Sequence, residues 1–263
     1  MDKEMRERIV AKDLDRLCRM GLDTDGHWMF DLYRQNAMKG EFDQIQQFVR
    51  PGCASSDVGA NDGHYSLKLA STCDKVLAVE PLSDYAWLAD ELPPNCVFAG
   101  CAAGAQPGEA EINVPVSEGA RMGGLASLLD LEPWGYKNCE TETVQVRTLD
   151  ELADEHLPDE EVGFVKIDVE GAELDVLRVA QELLERCRPN LQVELWQGHV
   201  LQAMDFIRSL GYRGLFFFDG VLHDISMFEP AVHCAEENEW RPDSSEAFRP
   251  ELYVNNFFFV PAR

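Results

Sequence analysis

One feature restricts what this chain can fold into more than any other. From Pro51-Gly52 onward, short apolar runs of strand length alternate with segments whose apolar residues recur at helical spacing: SSDVGA, then GHYSLKLASTC, then KVLAVEP, then LSDYAWLADELP, then CVFAGCAAG. A strand that returns parallel to its predecessor needs a crossover, and a helix supplies it. The rhythm therefore predicts an α/β fold, with a doubly wound, mostly parallel sheet and helices on both faces.

The pattern continues through AEINVPV, ETVQVRTLDELADEHL, GFVKIDVEG, one helix over AELDVLRVAQELLERCR, then NLQVELW, a helix over HVLQAMDFIRSLG, YRGLFFFDG and a closing NNFFFVPA. The two phenylalanine-rich runs are expected as adjacent antiparallel strands. Between them, residues 219 to about 253 carry Pro230, His233, Trp240, Pro242 and Pro250 and read as a lid or substrate-binding insertion. Residues 1–50 place Ile9, Leu14, Leu17, Leu32, Ile45 and Phe48 at helical spacing, a helical lead-in to a main domain over 51–263.

Lys and Arg number 23 against 48 Asp and Glu, a net charge of −25. Such a chain repels nucleic-acid phosphates and anionic lipid headgroups over a Debye length of about 8 Å, so neither nucleic acid nor a membrane surface is an expected partner. The eight cysteines show no C-x-x-C pair and no zinc-finger spacing, and they read as core thiols. The charged MDKEMRERIVAKDL start lacks the apolar stretch of a signal peptide. A cytoplasmic setting is expected; a homo-oligomer stays open.

In SDVGANDGHYSLKLA a strand ends near Asp57-Val58, a turn runs over Gly59 to Gly63, and a helix begins around Tyr65. The glycines allow a sharp turn and close approach of a ligand, and the helix start offers unpaired N–H groups. Such a turn holds a phosphate or an amino-acid carboxylate, or simply joins strand to helix. About twenty residues on, Glu80 ends the next strand, where a carboxylate accepts from both hydroxyls of a ribose. Dinucleotides and S-adenosylmethionine both satisfy that pair of features. The turn lacks the G-x-G-x-x-G spacing, and Asp57 would oppose a pyrophosphate yet favour an ammonium and a sulfonium, so the charge sign favours S-adenosylmethionine.

At the following strand ends, Asp168 and Glu170 stand two apart and in extended backbone would point the same way, with Glu194 near them at the same sheet edge. Three carboxylates there could take a proton from a hydroxyl, or hold a divalent cation that acidifies it. Glu173 reads more simply as a helix N-terminal charge. His64, His199, His223 and His233 are alternative bases, His199 best placed, although packing or surface roles suit each of them. Trp28, Trp196 and Trp240 could wall a sugar ring or fill the core. Ser127, in GGLASLL, could reach the cofactor pocket.

DVGANDGHYSLKLA, AVEP, VRTLDEL, FVKIDVEGAELDVL and VELW, in this order and spacing, resemble the FkbM-type class I methyltransferases over about residues 40–215. The resemblance implies a Rossmann-like sheet, S-adenosylmethionine as cofactor, and methyl transfer to a hydroxyl of a small molecule, sugar, glycan or natural product. It implies that Asp57, Gly59, Asn61 and Gly63 line the methionine end of the cofactor, Glu80 the ribose, Cys101 and Ala102 the adenine, and that Asp168 faces donor and acceptor. The N-terminal segment and residues 219–253 match no part of that pattern. A silent cofactor-binding module is the competing reading. A nicotinamide oxidoreductase is a weaker one, since no Tyr-x-x-x-Lys pair is evident.

Overall fold

In the computed structural model, which describes residues 3–19, 42, 44–195, 200–235 and 252–262, the expected alternation is realised. Helix α1 (Lys3–Arg19) precedes β1 (Ala54–Val58), α2 (His64–Ala70), β2 (Lys75–Val79), α3 (Leu88–Glu91) and β3 (Cys96–Ala99). There follow β4 (Ala102–Ala103), β5 (Gly108–Ser117), β6 (Ala120–Arg121), β7 (Cys139–Arg147), α4 (Leu149–His156) and β8 (Val162–Ile167). The chain continues through α5 (Glu173–Arg178), α6 (Gln181–Cys187), β9 (Asn190–Glu194), α7 (Val200–Ser209), β10 (Tyr212–Phe218), β11 (Val221–Asp224), α8 (Pro230–His233) and β12 (Asn256–Pro261).

Eight strands form one sheet in the order β3-β2-β1-β8-β9-β12-β10-β11. The first five are parallel, and β12 inserts antiparallel between β9 and β10. The phenylalanine-rich strands are thus antiparallel neighbours. In β12 the period of two splits the core: Phe257 and Phe259 pack on one face of the sheet, Phe258 on the other, all fully buried. Each such ring stabilises the fold by about 1.5–3 kcal/mol relative to exposure. The order reverses between β1 and β8, and at such a reversal the carboxyl ends of two neighbouring strands open a crevice.

Three expectations are corrected. AELDVLRVAQELLERCR is two helices, because α6 restarts on the Asp150 carboxylate, which accepts from the N–H groups of Glu182 and Leu183 at 3.1 and 2.9 Å. AEINVPV and ETVQVR do not join the main sheet; β5 and β7 pair with each other in a second sheet, β4-β7-β5-β6, around Leu82, Ile112, Val114, Val144 and Val146. The segment after 219 is not irregular up to residue 235. It forms β11 and α8 and packs His233 among Phe216, Phe218 and Phe228, away from the crevice. Residues 236–251, like residues 20–41, lie outside the described residues.

Helix α1 is held to the main domain by buried and half-buried polar contacts. Lys68 in α2 donates to Asp13 at 2.7 Å, and Arg16 donates to the carbonyls of Thr72 and Cys73. Helix α4 opens with the reciprocal bonds of a capping box between Thr148 and Glu151. No helix among the described residues is long and apolar enough to cross a membrane.

Candidate functional site

The crevice between the ends of β1 and β8 is built by two tight approaches. Gly59, at φ +80°, sits so near β8 that a Cβ would stand 1.7 Å from the Asp168 carbonyl oxygen. Only a residue without a side chain allows the two strand ends to meet there. The turn then folds onto β2, where Gly59 and Ala60 donate to the Val79 carbonyl at 2.9 and 3.0 Å. Gly63, also left-handed, starts α2 at His64 rather than Tyr65, and a Cβ there would strike Leu88 at 2.6 Å.

Glu80 anchors the next wall. Its Oε2 accepts from the Asn61 N–H at 2.9 Å and its Oε1 from the Leu82 N–H at 3.0 Å, so the carboxylate ties the turn to the end of β2. Each oxygen keeps a further acceptor site. Burial pushes its pKa up to about 7, against those two N–H donors.

A cleft opens over these groups. Gly59, Asn61 and Glu80 line one side, and Cys101 and Ala102 another. Burial raises the Cys101 thiol, which keeps this wall uncharged. Asp168 and Glu170 line the side formed by β8. The roof comes from the second sheet and its loop, through Ile112, Gly123, Gly124 and Leu128. The two glycines seat that loop on the turn: a Cβ would stand 2.6 Å from the Tyr85 hydroxyl at Gly123, and 3.0 Å from Asn61 Nδ2 at Gly124. Arg121 reinforces the contact through Asp84 at 2.8 Å and Glu142 at 2.9 Å.

Four expected residues stand off the wall. Asp57 is fully buried beneath the turn, with Oδ2 accepting from Ser66 Oγ at 2.6 Å. Burial raises its pKa, against the opposing pull of Lys166. Gly63 shapes the helix start. Ser127 is buried, and its hydroxyl donates to the Glu170 carbonyl instead of pointing into the cleft. Glu194 sits half-buried behind the pocket, its Oε1 accepting from Asn255 Nδ2. Its pKa is well above the ordinary value because it is desolvated and faces Asp168 and Glu170.

Asp168 and Glu170 do not point alike by strand alternation, since β8 ends at Ile167 and Glu170 turns left-handed at φ +53°. The turn rather than the pleat brings both to the cleft. Among the described residues, no group of three or more His, Cys, Asp or Glu side chains is gathered closely enough to hold a metal ion. His64 bonds Asp62 and packs against Phe42 and Tyr65, and His223 stacks on Phe216. Trp28, Trp196, His199 and Trp240 lie outside the described residues.

One residue has a role other than the expected helix N-terminal charge, and another escaped the sequence reading. Glu173 is buried, and its Oε1 accepts from the N–H groups of Val169 and Gly171 at 3.2 and 2.9 Å, so it shapes the loop preceding α5. Lys166, buried in β8, donates to the Gly59 carbonyl and to Asp168 Oδ2, both at 3.1 Å, and lies 3.6 Å from Asp57 Oδ1. Burial opposes its charge, but Asp168 and Asp57 outweigh it and raise the pKa further. A lysine inside the apolar strand VGFVKI, two positions before Asp168, was the available signal: such a charge needs a buried partner on the same face.

A methyltransferase FkbM structure from Methylobacillus flagellatus KT is similar at 13% identity and TM-score 0.47, over 96% of this chain. This chain spans 59% of that structure's length. A precorrin-6y C5,15-methyltransferase from Geobacter metallireducens GS-15 aligns at 11% identity and TM-score 0.38, over 84% of this chain and 87% of its own. A putative methyltransferase from Streptococcus mutans in complex with SAH aligns at 10% identity and TM-score 0.37, over 82% and 92%. No curated protein sequence matches the chain. The family model of the methyltransferase FkbM domain matches residues 57–213, more than half of the chain, and the chain belongs to that family of S-adenosylmethionine-dependent methyltransferases.

Proposed function

We propose that this protein transfers a methyl group from S-adenosylmethionine to a hydroxyl of a small molecule, sugar, glycan or natural product. One observation carries the reading. In a cleft at the point where the strand order reverses, the Glu80 carboxylate lines the wall with acceptor capacity left after its two backbone bonds. In this reading Glu80 accepts from the ribose hydroxyls, Gly59 and Asn61 border the methionine end, and Cys101 and Ala102 flank the adenine. A bound S-adenosylmethionine supplies the electrophilic methyl group.

The donor set suits that cofactor, because the carboxylates of Glu80, Asp168 and Glu170 favour a sulfonium and would repel a pyrophosphate. Asp168 and Glu170, on the wall itself, are the carboxylates within reach of the hydroxyl proton. Asp168 also orients the acceptor. Holding the two reactants in contact supplies most of the rate in such a displacement. The eight cysteines, none in a disulfide, fit a cytoplasmic setting, and the net charge argues against nucleic acid or membrane as partner.

Calorimetric titration with S-adenosylmethionine, S-adenosylhomocysteine and NADH tests the cofactor; labelled methyl transfer to a panel of hydroxylated acceptors tests the activity. Binding of the first two without the third is expected. Tight NADH binding would favour the oxidoreductase. Cofactor binding without transfer to any acceptor would favour a silent module.

A further inference from the structure

Lys166 faces the pocket only through other residues. Its ammonium lies within 4 Å of two carboxylates, Asp57 at 3.6 Å and Asp168 at 3.1 Å, and above the Tyr65 ring at 4.8 Å. Asp57 Oδ1 has no hydrogen-bond partner, so the nearby ammonium is what balances it. Of these three charged groups, Asp168 alone lines the cleft. A ligand therefore meets a carboxylate whose field is partly cancelled from behind.

We infer that Lys166 sets how strongly the pocket distinguishes the cationic methyl donor from its uncharged thioether product. This rests on the S-adenosylmethionine reading given above. In the transfer, the bond from sulfur to methyl carbon breaks with its electron pair left on sulfur. The acceptor oxygen bonds that carbon, and the hydroxyl proton passes to a carboxylate. The positive charge on sulfur is lost along the way. A bare carboxylate beside the cleft would stabilise the starting sulfonium more than the transition state, in which that charge is dispersing, and so would slow the reaction. Lys166 mutes Asp168 and limits that unproductive stabilisation, acting as a positioning and charge-balancing residue.

The test is calorimetric affinity for S-adenosylmethionine and for S-adenosylhomocysteine, in mildly alkaline buffer, with the fold checked by circular dichroism. Lys166→Met should raise the preference for the cationic donor over the thioether by on the order of tenfold, the effect of one unscreened charge at effective protein dielectric. Lys166→Arg should restore the wild-type ratio, and Asp168→Asn should move it the opposite way. If Lys166→Met does not fold, Asp57→Asn/Lys166→Met compared with Asp57→Asn alone relieves the stranded Asp57 charge and must show the same rise. A purely structural lysine would weaken both ligands by one common factor, and an unmoved ratio overturns the inference. Wild-type protein that binds neither ligand would instead bring down the cofactor reading itself.

Discussion

Replacing Gly59 by alanine should be among the most damaging single-methyl additions in the chain. The new Cβ would stand 1.7 Å from the Asp168 carbonyl oxygen, whereas carbon and oxygen approach to about 3.3 Å, so β1 and β8 must part by about 1.5 Å at their ends. That movement pulls on two bonds that cross the gap, Asp168 N–H to Val58 O at 3.0 Å and Lys166 Nζ to Gly59 O at 3.1 Å. Losing the first costs about 1 kcal/mol and the second, with its charged donor, about 1.5–3 kcal/mol. The φ of +80° adds about 1–2 kcal/mol for any side chain. A loss of about 3.5–6 kcal/mol approaches the whole stability of a small domain. The control is Gly52→Ala, where φ is +77° and no atom lies within 4 Å of the added Cβ, so that only the conformational share remains. Urea unfolding followed by circular dichroism should separate the two variants by about 2.5 kcal/mol or more. Equal losses would refute the close approach as the reason for glycine at position 59.

Glu80→Ala should weaken S-adenosylhomocysteine binding by about 1.5–3 kcal/mol in calorimetry, the loss of a charged acceptor; in the wild type, affinity should fall as pH drops through about 7, where Glu80 takes up a proton. Glu173, raised by burial to about 7 from an ordinary 4.5, holds a proton in the folded state that the unfolded chain has released between those values. Stability from this group therefore falls as pH rises across that window, and melting curves of Glu173→Gln should show a shallower decline than wild type over the same range. Lys68→Met removes the cation from the buried Asp13 carboxylate, leaving Gln46 as a neutral donor to it, and should cost about 3–5 kcal/mol in urea unfolding, much of it recovered by adding Asp13→Asn.

The sequence alone determined the α/β class, the parallel core and the antiparallel pairing of the two phenylalanine-rich strands, because alternation of strand and helix periods is a local property of the chain. Strand ends that share an edge in such a sheet marked Gly59, Glu80 and Asp168, and the family resemblance added Asn61, Cys101 and Ala102; all six line one cleft. What a side chain does at that edge depends on atoms distant in sequence, and there only the tertiary structure decided. Ser127 bonds a carbonyl 43 residues away, a role its own neighbourhood does not mark; the apolar surroundings of Lys166 announce a buried partner, but not the carbonyl 107 residues away that it bonds. The same holds for the second sheet. Strand patterns in β5 and β7 show which residues are extended, but their eight paired positions satisfy each other's backbone groups, and that pairing removed them from the main sheet and laid them over the pocket.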